Sequence, residues 1–136
     1  MADSYAILLA EDSDIMRRSC RSFFEVQDGL ALTWVVATGE EVLSLLDEED
    51  AAPDLFLLDF SLPDVSAPAL IPKLKQRRPD ARILVISEHQ EGVRAREVLD
   101  AGGYGYLQKG EAAEIPNAAR TVLDGETYLS DSVSLM

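Results

Sequence analysis

The stretch Asp54-Leu55-Phe56-Leu57-Leu58-Asp59-Phe60-Ser61-Leu62-Pro63-Asp64 decides the fold. Leu55 to Leu58 are four apolar residues in a row, the pattern of a strand covered on both faces, as in a parallel sheet. Leu62-Pro63-Asp64 then breaks the chain into a loop. Asp59 is left at the carboxyl end of a buried strand.

Working outward, the same unit recurs. Tyr5–Ala10, Leu30–Ala37, Arg82–Ile86 and Tyr104–Leu107 read as further short strands. Helical patterns separate them. Ile15, Met16, Cys20, Phe23 and Phe24 recur at helical spacing, with Cys20 reading as a core residue. Thr38-Gly39-Glu40-Glu41 is a capping box, ahead of a face lined by Val42, Leu45 and Leu46. A third helix is predicted near Ala69–Arg77. Pro68 and Pro72 fall in its first turns, and Pro72 is tolerable there only if the helix starts late. Residues 91–101 read as a helix poor in large apolar side chains, with Val93, Val98 and Leu99 alone, ended by Gly102-Gly103. Ile115, Ala118, Ala119, Val122 and Leu123 make one apolar face of a last helix. Pro116 sits in its first turn, and Gly125 marks its end. Five strand–helix units in sequence predict a parallel sheet with helices on both sides and right-handed crossovers.

In an open sheet of this kind the carboxyl ends of the strands converge on one crevice, where ligands bind. Five polar residues fall there: Glu11 and Asp12 after the first strand, Asp59 after the third, Ser87 after the fourth and Lys109 after the fifth. The turn after the first strand reads Ala10-Glu11-Asp12-Ser13, with no glycines to bring backbone amides onto a phosphate. Two carboxylates repel phosphate and suit a hard divalent cation such as Mg²⁺, with Asp59 completing the set. A second reading keeps the pair as favourable charges at the start of the next helix. Ser87 and Lys109 offer a hydroxyl and an ammonium to phosphoryl oxygens, although either type is common at such positions for other reasons.

Composition bounds the rest. The chain has 136 residues, 47% of them hydrophobic, which is ample for one core. Twelve basic against 25 acidic residues give a net charge of −13. Such a surface repels nucleic acid and anionic membrane, so DNA binding by this segment is not expected. No apolar run approaches the ~18 residues of a membrane helix. One cysteine and no basic, apolar leader fit a cytoplasmic protein.

The segments Leu9-Ala10-Glu11-Asp12, Leu57-Leu58-Asp59-Phe60-Ser61-Leu62-Pro63-Asp64, Val85-Ile86-Ser87 and Gly105-Tyr106-Leu107-Gln108-Lys109-Gly110 together resemble the receiver domains of two-component response regulators. The likeness runs over about residues 4–125 and is greatest to the NarL/FixJ type, which carries a LuxR-like helix-turn-helix output domain. It implies a flavodoxin-like (βα)5 doubly wound sheet of order 2-1-3-4-5. It implies one domain over 1–125, with 126–136 a tail or the start of a linker, Thr127-Tyr128-Leu129-Ser130 being similar to the linker's beginning. It implies Asp59 as acceptor of a phosphoryl group from a sensor histidine kinase. Glu11, Asp12, Asp59 and the Ser61 backbone carbonyl would hold Mg²⁺, Ser87 and Lys109 would bind the phosphoryl oxygens, and Tyr106 would be an aromatic switch. Tyr106 also reads as an ordinary half-buried strand tyrosine. The expected output is either homodimerisation, through the face of the fourth helix, fifth strand and fifth helix or another face, or control of a tethered DNA-binding domain outside this chain.

The sequence departs from the family pattern at Ala67-Pro68, where glycine is usual at the first position and a locally different backbone is expected before the third helix, at Glu88, where a small residue is usual, and at Gly110, where many members have proline but the NarL/FixJ type often does not. Glu88 could slow phosphorylation and hydrolysis, and His89 reads as a solvated loop residue at the rim. Two other functions fit parts of the pattern. One is a receiver-like binding module that works without phosphorylation. The other is a small enzyme or carrier, a magnesium-dependent phosphatase or a flavin carrier. The missing glycine loop disfavours flavin, and no general acid stands out for a phosphatase.

Overall fold

The computed structural model describes residues 4–88 and 92–130. Six parallel strands form one sheet in the order β2-β1-β3-β4-β5-β6. They are β1 (Tyr5–Ala10), β2 (Leu30–Val36), β3 (Leu55–Asp59), β4 (Ile83–Ser87), β5 (Gly105–Gln108) and β6 (Tyr128–Leu129). The helices between them are α1 (Asp14–Glu25), α2 (Gly39–Glu48), α3 (Ala67–Arg77), α4 (Gly92–Ala101) and α5 (Ile115–Leu123). This is the doubly wound, flavodoxin-like arrangement with one strand more than the five expected.

Strand side chains alternate between two buried layers. Leu8, Phe56, Leu58, Val85 and Tyr106 pack with Val42, Leu70, Ile71, Leu74, Ala95 and Val98 of α2, α3 and α4. Ile7, Leu9, Leu57, Ile86 and Leu107 pack with Cys20 and Phe24 of α1 and with Ile115, Ala118, Ala119 and Val122 of α5. All five residues of β3, and all five of β4, are buried. That is why the two centre strands read as unbroken apolar runs.

Four sequence expectations change. First, α3 starts at Ala67, so Pro68 lies in its first turn but Pro72 lies inside the helix. Pro72 denies the Pro68 carbonyl its partner and costs about 3 kcal/mol. Burial of Leu70, Ile71 and Leu74 offsets this at roughly 1.5–3 kcal/mol for each side chain. The Ser66 hydroxyl caps the helix by accepting from the Ala69 N–H. Second, the thin core face of α4 is Ala95 and Val98, while Val93 is 66% exposed. Third, Thr38 caps α2 as expected (Glu41 N–H to Oγ1, 3.1 Å), but the Glu41 carboxylate reaches back one residue further, to the Ala37 N–H (3.1 Å).

Fourth, the sheet does not stop at residue 125. The Tyr128 N–H donates to the Tyr104 carbonyl and the Ser130 N–H to the Tyr106 carbonyl, both at 3.1 Å. The Gln108 N–H donates to the Ser130 hydroxyl at 2.8 Å, and Ser130 is buried. The expected tail thus closes the outer edge of β5. A second copy cannot pair with β5 while β6 is in place. Residues 131–136, the remainder of the expected tail, lie outside the described residues.

Candidate functional site

The crevice lies at the carboxyl edge of β1, β3, β4 and β5. Glu11 and Asp12 follow β1, Asp59 ends β3, Ser87 ends β4, and Lys109 follows β5. A cavity of about 260 Å³ is lined by Glu11, Asp12, Ser13, Asp59, Ser61, Ser87, Glu88 and Lys109. The structure therefore brings all five strand-end residues, and Ser61, to one place. Glu11 is wholly buried, Ser87 and Asp59 nearly so, and Asp12 faces solvent.

Ligand atoms of Glu11, Asp12 and Asp59 lie within 4.8 Å of one another. Lys109 bridges two of them: its Nζ is 2.9 Å from Glu11 Oε1 and 3.5 Å from Asp59 Oδ1. The chain holds the carboxylates from behind. The Ser13 N–H donates to Glu11 Oε2 (3.0 Å), and the Ser61 N–H to Asp59 Oδ1 (3.3 Å). Arg17 donates to the Glu11 backbone carbonyl at 2.7 Å. Ser13 also caps α1 by accepting from the Met16 N–H at 3.3 Å. Helix capping at this turn therefore falls to Ser13, and Glu11 points into the crevice.

The charges are unbalanced. Three carboxylates face one ammonium, and burial adds to the strain. The Asp59 carboxyl is pushed up to about 6, first by burial and then by Glu11, against the lowering influence of Lys109 and the Ser61 amide. Burial alone would lower the Lys109 ammonium, yet the Glu11 carboxylate at 2.9 Å and the charges of Asp59 and Glu88 hold it above its usual value. Glu11 Oε1 is buried, and the ammonium approaches it without the alignment of a hydrogen bond. A buried carboxylate oxygen in that condition, beside two more carboxylates, fits a hard cation with oxygen ligands.

Tyr106 is fully buried, not half-buried, and points into the α2–α4 layer. Its ring meets Phe60 edge-on, with centroids 6.4 Å apart at 75°. Phe60 in turn carries the Arg94 guanidinium 4.8 Å from its ring centre. The sequence reading missed this stack. Its signal was Phe60 itself, an aromatic residue directly after the end of a buried strand. Glu88 is exposed at the cavity rim. His89 lies outside the described residues. Cys20 is buried in the α1 layer, and burial, then Glu11, push its thiol up to about 12. Among the described residues no helix is long and apolar enough to cross a membrane.

A doubly wound parallel sheet with an acidic, lysine-bridged crevice at its carboxyl edge defines the class. The chain belongs to the response regulator receiver domain family, whose profile matches residues 7–120. The transcriptional activator protein ExaE of Pseudomonas putida is 37% identical over 130 residues, covering 94% of this chain and 59% of that protein. The response regulator UvrY of Escherichia coli K12 is 27% identical over 129 residues, covering 94% and 58%. The chain thus spans less than two thirds of the length of these curated relatives. Among solved structures, a LuxR-family two-component response regulator from Aurantimonas has a TM-score of 0.89 at 27% identity, over 96% of this chain and 93% of that one. The isolated receiver domain of RcsB from Salmonella enterica serovar Typhimurium, solved with a phosphomimetic, has a TM-score of 0.86 at 19% identity and shares the fold, over 96% of each chain.

Proposed function

We propose that Asp59 accepts a phosphoryl group from the phosphohistidine of a sensor kinase, and that this sets the domain's signalling state. The observation that carries the reading is the buried Glu11–Lys109–Asp59 bridge beside exposed Asp12, in a cavity with an unsaturated carboxylate oxygen. Glu11, Asp12 and Asp59, with the Ser61 backbone carbonyl, would hold Mg²⁺. Bound there, the cation would offset repulsion between anionic donor and acceptor.

Asp59 is mostly ionised at neutral pH and offers a carboxylate oxygen at the cavity wall. That oxygen forms a bond to phosphorus as the P–N bond of the donor breaks, the electron pair returning to the imidazole. Lys109, already 3.5 Å from Asp59, neutralises charge on the phosphoryl oxygens, and Ser87 donates its hydroxyl. The product places about two negative charges at the end of β3, where the carboxylate carried one. Ser87 is drawn toward them, and Tyr106 repacks in the space vacated under α4. The shallow face of Ala95 and Val98 makes α4 a ready element to shift.

In the longer relatives the output is transcriptional, and we assign this chain the same role through a DNA-binding domain outside it. The exposed Glu88 carboxylate at the rim favours a second reading, a receiver-like module that signals without phosphorylation. Beryllofluoride with Mg²⁺ separates the two. Amide NMR shifts at Asp59, Ser87, Tyr106 and Lys109 are the expected result, lost in Asp59→Asn. No shift at these positions would refute the phosphorylation reading.

A further inference from the structure

The loop between β3 and α3 is closed on itself. Ser61 and Ser66 pair in an antiparallel bridge, the Leu62 N–H donates to the Val65 carbonyl at 3.2 Å, and the Ala67 N–H donates to the Phe60 carbonyl at 2.8 Å. Pro63 and Asp64 are the central residues of this turn. Its tip is fastened to a different element. Asp64 Oδ1 accepts from the Gly39 N–H and Oδ2 from the Glu40 N–H, each at 2.9 Å.

Those are the first two amides of α2, which its own ladder cannot satisfy. The third, of Glu41, goes to Thr38 Oγ1. So Thr38 caps the helix locally, while Asp64 caps it from 25 residues away. Gly39 permits the close approach, because a Cβ there would collide with the Val65 side chain. Burial alone pushes the Asp64 carboxyl up, but the Gly39 and Glu40 amides hold it below its ordinary value. Both its oxygens are thus committed to α2, and none faces the acidic crevice.

We propose that Asp64 is a positioning residue for that crevice: by pinning the turn to the start of α2 it holds the Ser61 backbone at the cavity wall. The proposal rests on the metal reading above, in which the Ser61 carbonyl is a ligand. Losing the pin frees the turn and weakens Mg²⁺ binding with the three carboxylates intact. A supporting group of this kind is worth about tenfold in metal affinity, the low end of its usual range.

The test is a Mg²⁺ titration of the full chain followed by backbone amide NMR, which needs no phosphorylation. Asp64→Ala is expected to bind about tenfold more weakly. Asp64→Asn, which keeps one acceptor oxygen, is expected to fall between it and the parent. Thr38→Ala removes a different cap from the same helix and is expected to leave the affinity unchanged. Parent-like affinity in Asp64→Ala, or an equal loss in Thr38→Ala, overturns the proposal. Should Asp64→Ala fail to fold, Asp64→Asn against Thr38→Ala decides by the same criteria. Asp12→Ala separates the two levels. Loss of binding there with parent-like Asp64 variants sinks the positioning role alone, whereas unchanged binding in Asp12→Ala sinks the metal reading itself.

Discussion

Replacing Asp59 by Asn should stabilise the metal-free domain. The carboxyl titrates at about 6 in the folded chain against an ordinary 3.8. Between those pH values the folded state keeps a proton that the unfolded state has lost. Stability is therefore full below about pH 4 and falls as pH rises through about 6. The whole difference corresponds to about 3 kcal/mol at roughly 1.4 kcal/mol per pH unit. The cavity opens to water on the Asp12 side, and screening there reduces the figure to about 1–2 kcal/mol. Asparagine removes this charge, and Lys109 keeps its closer partner, Glu11, at 2.9 Å. Urea unfolding followed by far-ultraviolet circular dichroism, with a chelator, should show the gain at about pH 7.5 and almost none at about pH 4. Saturating Mg²⁺ should reverse the order, since ligand at 100 times its dissociation constant adds about 2.7 kcal/mol to the parent. A less stable variant at the higher pH, or an equal gain at both, would refute the charge argument.

Other consequences follow from single contacts. Lys109→Met leaves Glu11 and Asp59 without their shared cation, and should destabilise the metal-free domain by about 2–4 kcal/mol near neutral pH. Unfolding curves at about pH 5 should recover part of this as Asp59 takes a proton, and a loss that grows on acidification would contradict it. Ser130→Ala removes the acceptor for the Gln108 N–H, and should cost about 1 kcal/mol and speed hydrogen exchange at Gln108 and Tyr128; unchanged exchange there would mean that β6 is held by other contacts. Cys20, buried with its thiol pushed up to about 12, should react with a thiol reagent only on unfolding. Rapid labelling of the native protein at about pH 8 would disprove it.

The crevice was legible in the sequence because strand ends are legible. Leu55–Leu58 is buried on both faces, so Asp59 had to stand at an edge, and the same logic placed Glu11, Ser87 and Lys109. What was hidden depends on partners distant in sequence. Tyr128 and Leu129 are too few to show strand periodicity; they pair because β5 presents free backbone groups beside them. Pro72 obscured the true start of α3, since local propensity says nothing of what Leu70, Ile71 and Leu74 gain by burial. Tyr106 is buried in the layer covered by α2, α3 and α4, edge-on to Phe60, a meeting of separate elements that no single segment records. Asp64 stood in view as a turn former, but its tie to Gly39 and Glu40 exists only once α2 and the loop meet.

The sixth strand alters how the expected output face must be understood. Had β5 been the last strand, its edge with α4 and α5 could have paired with a second copy directly. That edge is taken by Tyr128–Ser130, and its hydrogen bonds fall on Tyr104, Tyr106 and Gln108, flanking the tyrosine and adjoining Lys109. Tyr128–Ser130 therefore lies along the strand that carries the aromatic residue and runs directly into Lys109. If Tyr106 repacks as proposed, the change falls on the strand to which the Tyr128 and Ser130 amides are bonded. Ser130 is itself tied to that strand, through its N–H to the Tyr106 carbonyl and its hydroxyl to the Gln108 N–H. Among the described residues the C-terminal segment is thus joined to the strand that ends at the acidic crevice by direct hydrogen bonds. Three backbone hydrogen-bond donors make that junction, two on Tyr128–Ser130 and one on β5, so loosening it is expected to show first in the exchange of those three amides.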